Sequence, residues 1–68
     1  MFGKRLRKAR MERCLTQQKL ADEVGLALRS YQCYEQGTRE PSLDMLLSLA
    51  EALHVTTDSL LKSFDEPL

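Results

Sequence analysis

The stretch from Thr16 to Gly37, TQQKLADEVGLALRSYQCYEQG, constrains this chain more than any other. Thr16 suits an N-cap, because its hydroxyl can accept a hydrogen bond from a backbone N–H left without a partner in a first helical turn. Leu20, Ala21 and Val24 then fall on one face. Gly25 stands where the helix must stop, since a residue without Cβ takes the left-handed conformation of a helix C-terminus at little cost. A new helix begins within about three residues. A turn that short brings the two axes close together and leaves room for only a methyl, Ala21, where they cross.

The second helix can be phased at about 100° per residue. With Leu28 as zero, Leu28, Gln32, Gln36, Arg29 and Cys33 occupy about 0 to 140°, and Ser30, Tyr34, Ala27, Tyr31 and Glu35 about 200 to 340°. The two tyrosines therefore face inward. The opposite arc offers Arg29 and Gln32 with no core to pack on, as expected of a helix lying in a DNA major groove; the plain alternative is an amphipathic helix with a solvated face. A small residue followed four positions later by glycine, between two such helices, is a helix-turn-helix signal.

Sixty-eight residues make one domain, near the size where a core without staples is only marginally stable, and too small for a large active-site cleft. Lys plus Arg and Asp plus Glu both number 10, so net charge alone does not suggest a polyanionic partner. The distribution does: residues 1–29 carry +5 and residues 30–68 carry −5. Such a chain can set a positive surface against phosphates and keep its far side acidic. Cys14 and Cys33 fit no paired ligand spacing, so two reduced thiols are expected, and with only His54 to join them no metal site and no cofactor is expected. Nothing at the N-terminus resembles a signal peptide and no apolar run approaches the roughly 20 residues of a membrane span, so a cytoplasmic chain is expected.

In chain order, five helices are expected at about 3–13, 17–24, 28–36, 43–53 and 57–62, forming one all-α domain over 1–62 with a tail at 63–68. In the first, Phe2, Leu6, Ala9 and Arg13 recur at helical spacing. Arg10 lies beside that face and needs a partner, which Glu35 on the inward edge of the third helix supplies; two surface charges are the bland alternative. Lys4, Arg5, Arg7 and Lys8 form a solvated face, while Cys14 and Leu15 close the helix and pack beneath the second. Gln17 and Gln18 open the second helix, where free N–H groups and the macrodipole favour a phosphate. Gln17 adds a side-chain donor there, and Arg39, in the loop before Pro41, reaches a flanking phosphate. Ser42 caps the fourth helix, whose Leu43, Leu46, Leu47, Ala50 and Leu53 read as a buried stripe. Thr56 is a plausible cap for the fifth, with Leu60 and Leu61 on its body, and His54 receives no role. Phe64 covers a core edge or touches a second subunit.

Taken together, L-T-Q at 15–17, L-A at 20–21, V-G at 24–25, Y-x-x-Y-E-x-G at 31–37, Pro41 and A-L-x-V-T at 52–56 resemble the lambdoid phage repressor, Cro and Xre-type helix-turn-helix family. The resemblance runs from Leu6 to Leu61. It implies a compact five-helix bundle that binds double-stranded DNA as a homodimer, with the first residues of helix three on base edges and the ends of helices two and four on the backbone. On matching positions it implies Leu28, Arg29, Gln32 and Cys33 at bases and Gln17, Arg39 and Ser42 at phosphates, with Arg10 and Glu35 as the buried ion pair. A sequence-specific transcriptional regulator, a repressor, is the expectation. The alternative is an antitoxin or adaptor module that uses the same bundle to hold a protein. No nucleophile, base and orienter set is visible, so an enzyme is not expected.

Overall fold

The computed structural model describes residues 2–61, which form α1 (Phe2–Glu12), α2 (Gln17–Val24), α3 (Leu28–Gln36), α4 (Leu43–Leu53) and α5 (Thr57–Leu61). Side-chain caps start three of these helices. Thr16 Oγ1 accepts from the Lys19 N–H at 3.0 Å, Ser42 Oγ from the Met45 N–H at 3.2 Å, and Thr56 Oγ1 from the Ser59 N–H at 3.1 Å. Left-handed residues stop the helices. Gly25 (φ 74°) and Gly37 (φ 83°) do so without strain after α2 and α3. Cys14 (φ 58°) and His54 (φ 59°) do so after α1 and α4, where a Cβ makes that conformation costly by roughly 1–2 kcal/mol.

α3 packs against α1 and α2, α2 against α4, and α5 against α1 and α4. Tyr31, Leu6, Leu20, Leu49, Leu53 and Leu60 are fully buried at the centre, each of the five leucines contributing about 1.5–3 kcal/mol relative to an exposed position. Ala21 is also fully buried on α2, and the Leu26 N–H donates to its carbonyl at 2.8 Å to close the turn. α1 and α3 run unusually close at Gly3. A Cβ there would strike the Glu35 carbonyl oxygen and lie 2.8 Å from that of Tyr34, so only hydrogen fits.

Several expectations need correction. On α4 the buried stripe is Leu46, Leu49, Ala50 and Leu53, whereas Leu43 is 70% and Leu47 46% exposed. The stripe is centred on Leu46; Leu43 sits in the first turn beyond the body of the bundle, and Leu47 lies about 100° round the helix from Leu46. Cys14 is exposed instead of packed beneath α2, because the chain reverses there, and Leu15 alone packs on the core. Arg13 is exposed past the end of α1. Ala27, phased inward, is the exposed N-cap residue of α3. The expectations for Lys62, Phe64 and the tail lie outside the described residues.

Candidate nucleic-acid interface

The candidate surface is built on α3. Its inward residues Tyr31 and Tyr34 are buried in the core, which turns Leu28, Arg29, Gln32, Cys33 and Gln36 to the other side. Arg29 and Gln36 are exposed, and Leu28, Gln32 and Cys33 are half-buried. Both cysteines are free thiols.

A polar network fixes this helix from beneath. Arg10 Nε donates to Glu35 Oε2 at 2.7 Å and Arg10 Nη2 to Oε1 at 3.4 Å, with the Arg10 side chain 11% and the Glu35 side chain 5% exposed. Arg10 Nη1 also donates to the Leu15 carbonyl at 2.7 Å, which ties the reversal after α1 to the same group. The Tyr31 hydroxyl and Gln17 Nε2 (3.0 Å) complete the set of donors to Glu35. Burial pushes the Glu35 carboxyl up, but the hydrogen bonds from Arg10, Tyr31 and Gln17 outweigh it and hold the group below the usual glutamate value. The Tyr31 phenol is pushed far up by burial and by the adjacent carboxylate, so it stays a donor. The Arg10 guanidinium is raised by its bond to Glu35 against the opposing effect of burial. No buried side-chain N or O atom among the described residues lacks a partner.

The network reaches the surface: Gln32 Nε2 donates to Gln17 Oε1 at 3.1 Å. It joins the start of α2 to the outward side of α3, so the structure brings Gln17 beside the expected base-reading residues. Gln17 keeps a second amide hydrogen beyond the one on Glu35. Gln18 is turned away along its own helix, donating to Asp22 Oδ1 at 2.9 Å. Ser42 spends an acceptor lone pair on its cap and keeps its O–H to donate. Arg39 is exposed in the loop after Gly37. Tyr31 as a donor to Glu35 is not among the expected contacts, although the i, i+4 spacing of the two residues carries the signal. Neither is the Gln17–Gln32 bond, for which no local spacing gives a sign.

Among the described residues no group of three or more His, Cys, Asp or Glu could hold a metal ion, and no helix is long and apolar enough to cross a membrane.

A helix-turn-helix family model matches residues 6–60, which span this whole arrangement. The chain belongs to the Xre/Cro-type helix-turn-helix family. Within it, the chain is 42% identical over 62 residues to a Bacillus subtilis protein described as an uncharacterized HTH-type transcriptional regulator, YqaE, covering 91% of this chain and 53% of that protein. It is 42% identical over 45 residues to the cryptic phage CTXphi transcriptional repressor RstR of Vibrio cholerae, covering 66% of this chain and 40% of that protein. The chain thus spans about half the length of the curated relatives it matches. The crystal structure of the restriction-modification controller protein C.AhdI from Aeromonas hydrophila shares this Xre/Cro-type fold with a TM-score of 0.84 and 38% identity, over 88% of this chain and 91% of that one.

Proposed function

We propose that this chain is a sequence-specific DNA-binding transcriptional regulator, a repressor acting in the cytoplasm, which lays α3 in the major groove as a two-fold dimer. The observation that carries this reading is the outward side of α3, where exposed Arg29 stands with Leu28, Gln32 and Cys33 beside the N-terminus of α2. Relatives described as transcriptional regulators, one of them a phage repressor, support it. Arg29 carries a planar fork that matches O6 and N7 of guanine, a pair of acceptors no other base presents in the major groove. Leu28 rests against a thymine methyl or a sugar, and Cys33 flanks the same base edges. Gln17, Arg39 and Ser42 provide side-chain phosphate contacts, while Gln18, whose amide is engaged by Asp22, contributes its backbone N–H at the start of α2, where N–H groups lack intrahelical partners and the positive end of the helix dipole lies. Such contacts fix register and carry no sequence information.

One helix reads few bases, so specificity calls for two copies through α5, with half-sites about 34 Å apart. Selection from random duplex DNA, followed by sedimentation on the selected site, tests the proposal. The expected result is a dyad-symmetric site occupied by two chains. A site without symmetry, or a single chain on it, contradicts the dimer. Failure to select any sequence favours a protein-binding module of the antitoxin or adaptor type.

A further inference from the structure

We propose that the Glu35 carboxylate, acting through Gln17, locks the amide of Gln32 into the orientation that reads adenine and rejects guanine. The inference rests on the DNA-reading role above and specifies one base of the site. It follows from the direction in which each hydrogen bond must run. An ionised carboxylate only accepts. Glu35 Oε1 therefore takes a hydrogen from Gln17 Nε2 at 3.0 Å, and Gln17 must turn its NH2 inward. That leaves Gln17 Oε1 facing Gln32, which answers with its own NH2 at 3.1 Å. Two amides whose O and N ends are free to exchange by rotation thereby acquire one polarity, set in the core by a carboxylate that Arg10 and Tyr31 also hold in place.

What remains of Gln32 for a ligand is Oε1 as acceptor and one N–H as donor. Adenine presents the complement in the major groove, an N6 amino donor and the N7 acceptor. Guanine presents two acceptors, O6 and N7, so its O6 would meet the carbonyl oxygen of the locked amide. An unlocked glutamine can rotate its amide and offer both hydrogens to guanine instead. The relay thus supplies discrimination against a wrong base as well as affinity for the right one. Gln17 is a positioning residue here, and its second amide hydrogen stays available to a phosphate.

The test starts from the wild-type selected site. Gln32→Ala should flatten the preference at one base pair per half-site, and that pair should carry adenine. Replacing it with guanine should weaken wild-type binding roughly 5- to 150-fold. Gln17→Met removes the relay while keeping the length of the side chain, and should abolish most of that adenine-over-guanine ratio while leaving preferences at the other pairs unchanged. Circular dichroism establishes that the variant is folded, and Gln17→Ala serves if Gln17→Met is not. A wild-type ratio retained in the folded variant, a guanine preference at the Gln32 pair, or no pair flattened by Gln32→Ala overturns the lock and leaves the DNA-reading function standing. Failure of the wild type to select any sequence overturns both.

Discussion

Glu35→Ala should destabilise the folded chain by about 3–5 kcal/mol, the usual cost of breaking a buried ion pair by removing one partner. The Arg10 side chain is only 11% exposed and would lose two of its hydrogen bonds, at 2.7 and 3.4 Å, keeping the one to the Leu15 carbonyl. The hydroxyl of Tyr31, a fully buried residue, would lose its acceptor, an omission worth about 1–3 kcal/mol by itself. A domain of this length has roughly 3–10 kcal/mol in total, so the variant should sit close to unfolding at room temperature. Urea titrations followed by circular dichroism measure the loss. A paired Arg10→Met and Glu35→Leu variant should lose less than either single change, because no charge is then stranded. Acid provides a second readout. The folded Glu35 pKa lies below its ordinary value of 4.5, so its contribution is present above that value and disappears as pH falls through the depressed folded value. The stability gap between wild type and Glu35→Ala should therefore narrow in acid. A loss under about 1 kcal/mol at neutral pH would mean that the pair is effectively solvated and does not fix α3 on α1.

Two further substitutions probe the backbone. Gly3→Ala should cost about 1–3 kcal/mol in the same titrations, since its Cβ meets backbone carbonyls of α3 that cannot move aside singly; any gain from helix propensity would show that α1 is free to shift. His54→Gly should stabilise by up to about 1 kcal/mol by relieving the left-handed cap, whereas Gly25→Ala should destabilise by about 1 kcal/mol although open space surrounds it, because only φ resists. Equal effects of the two changes would refute the strain assigned to His54.

Elements governed by local chemistry were legible in the sequence. Thr16, Ser42 and Thr56 cap as expected, Gly25 and Gly37 stop their helices, and the phasing of α3 separates Tyr31 and Tyr34 from Arg29. The Arg10–Glu35 pair, 25 residues apart, was also readable, because an inward-facing cation needs an inward-facing carboxylate. Leucine positions on α4 were less legible: a leucine-rich helix satisfies two overlapping stripes, and only the bundle decides that Leu49 goes in and Leu43 stays out. Cys14 misled because a non-glycine left-handed cap carries no residue signal. Gln17 joined to Gln32 could not be read at all, since two amides on different helices meet only once the turn is built.

The most direct test of the proposed DNA-reading surface compares Arg29→Ala with Arg39→Ala on a specific and a scrambled duplex at two salt concentrations. Both arginines are exposed, so neither change should unfold the domain. Arg29→Ala should cost roughly 1–3 kcal/mol per half-site on the specific duplex and relax the preference at one base pair, with much less effect on the scrambled one. Arg39→Ala should weaken both duplexes alike and reduce the salt slope by about one per half-site. If Arg29→Ala lowers affinity equally on both duplexes, Arg29 is a backbone contact and α3 does not read bases through it; if neither change alters binding, the outward side of α3 is not the DNA-binding surface.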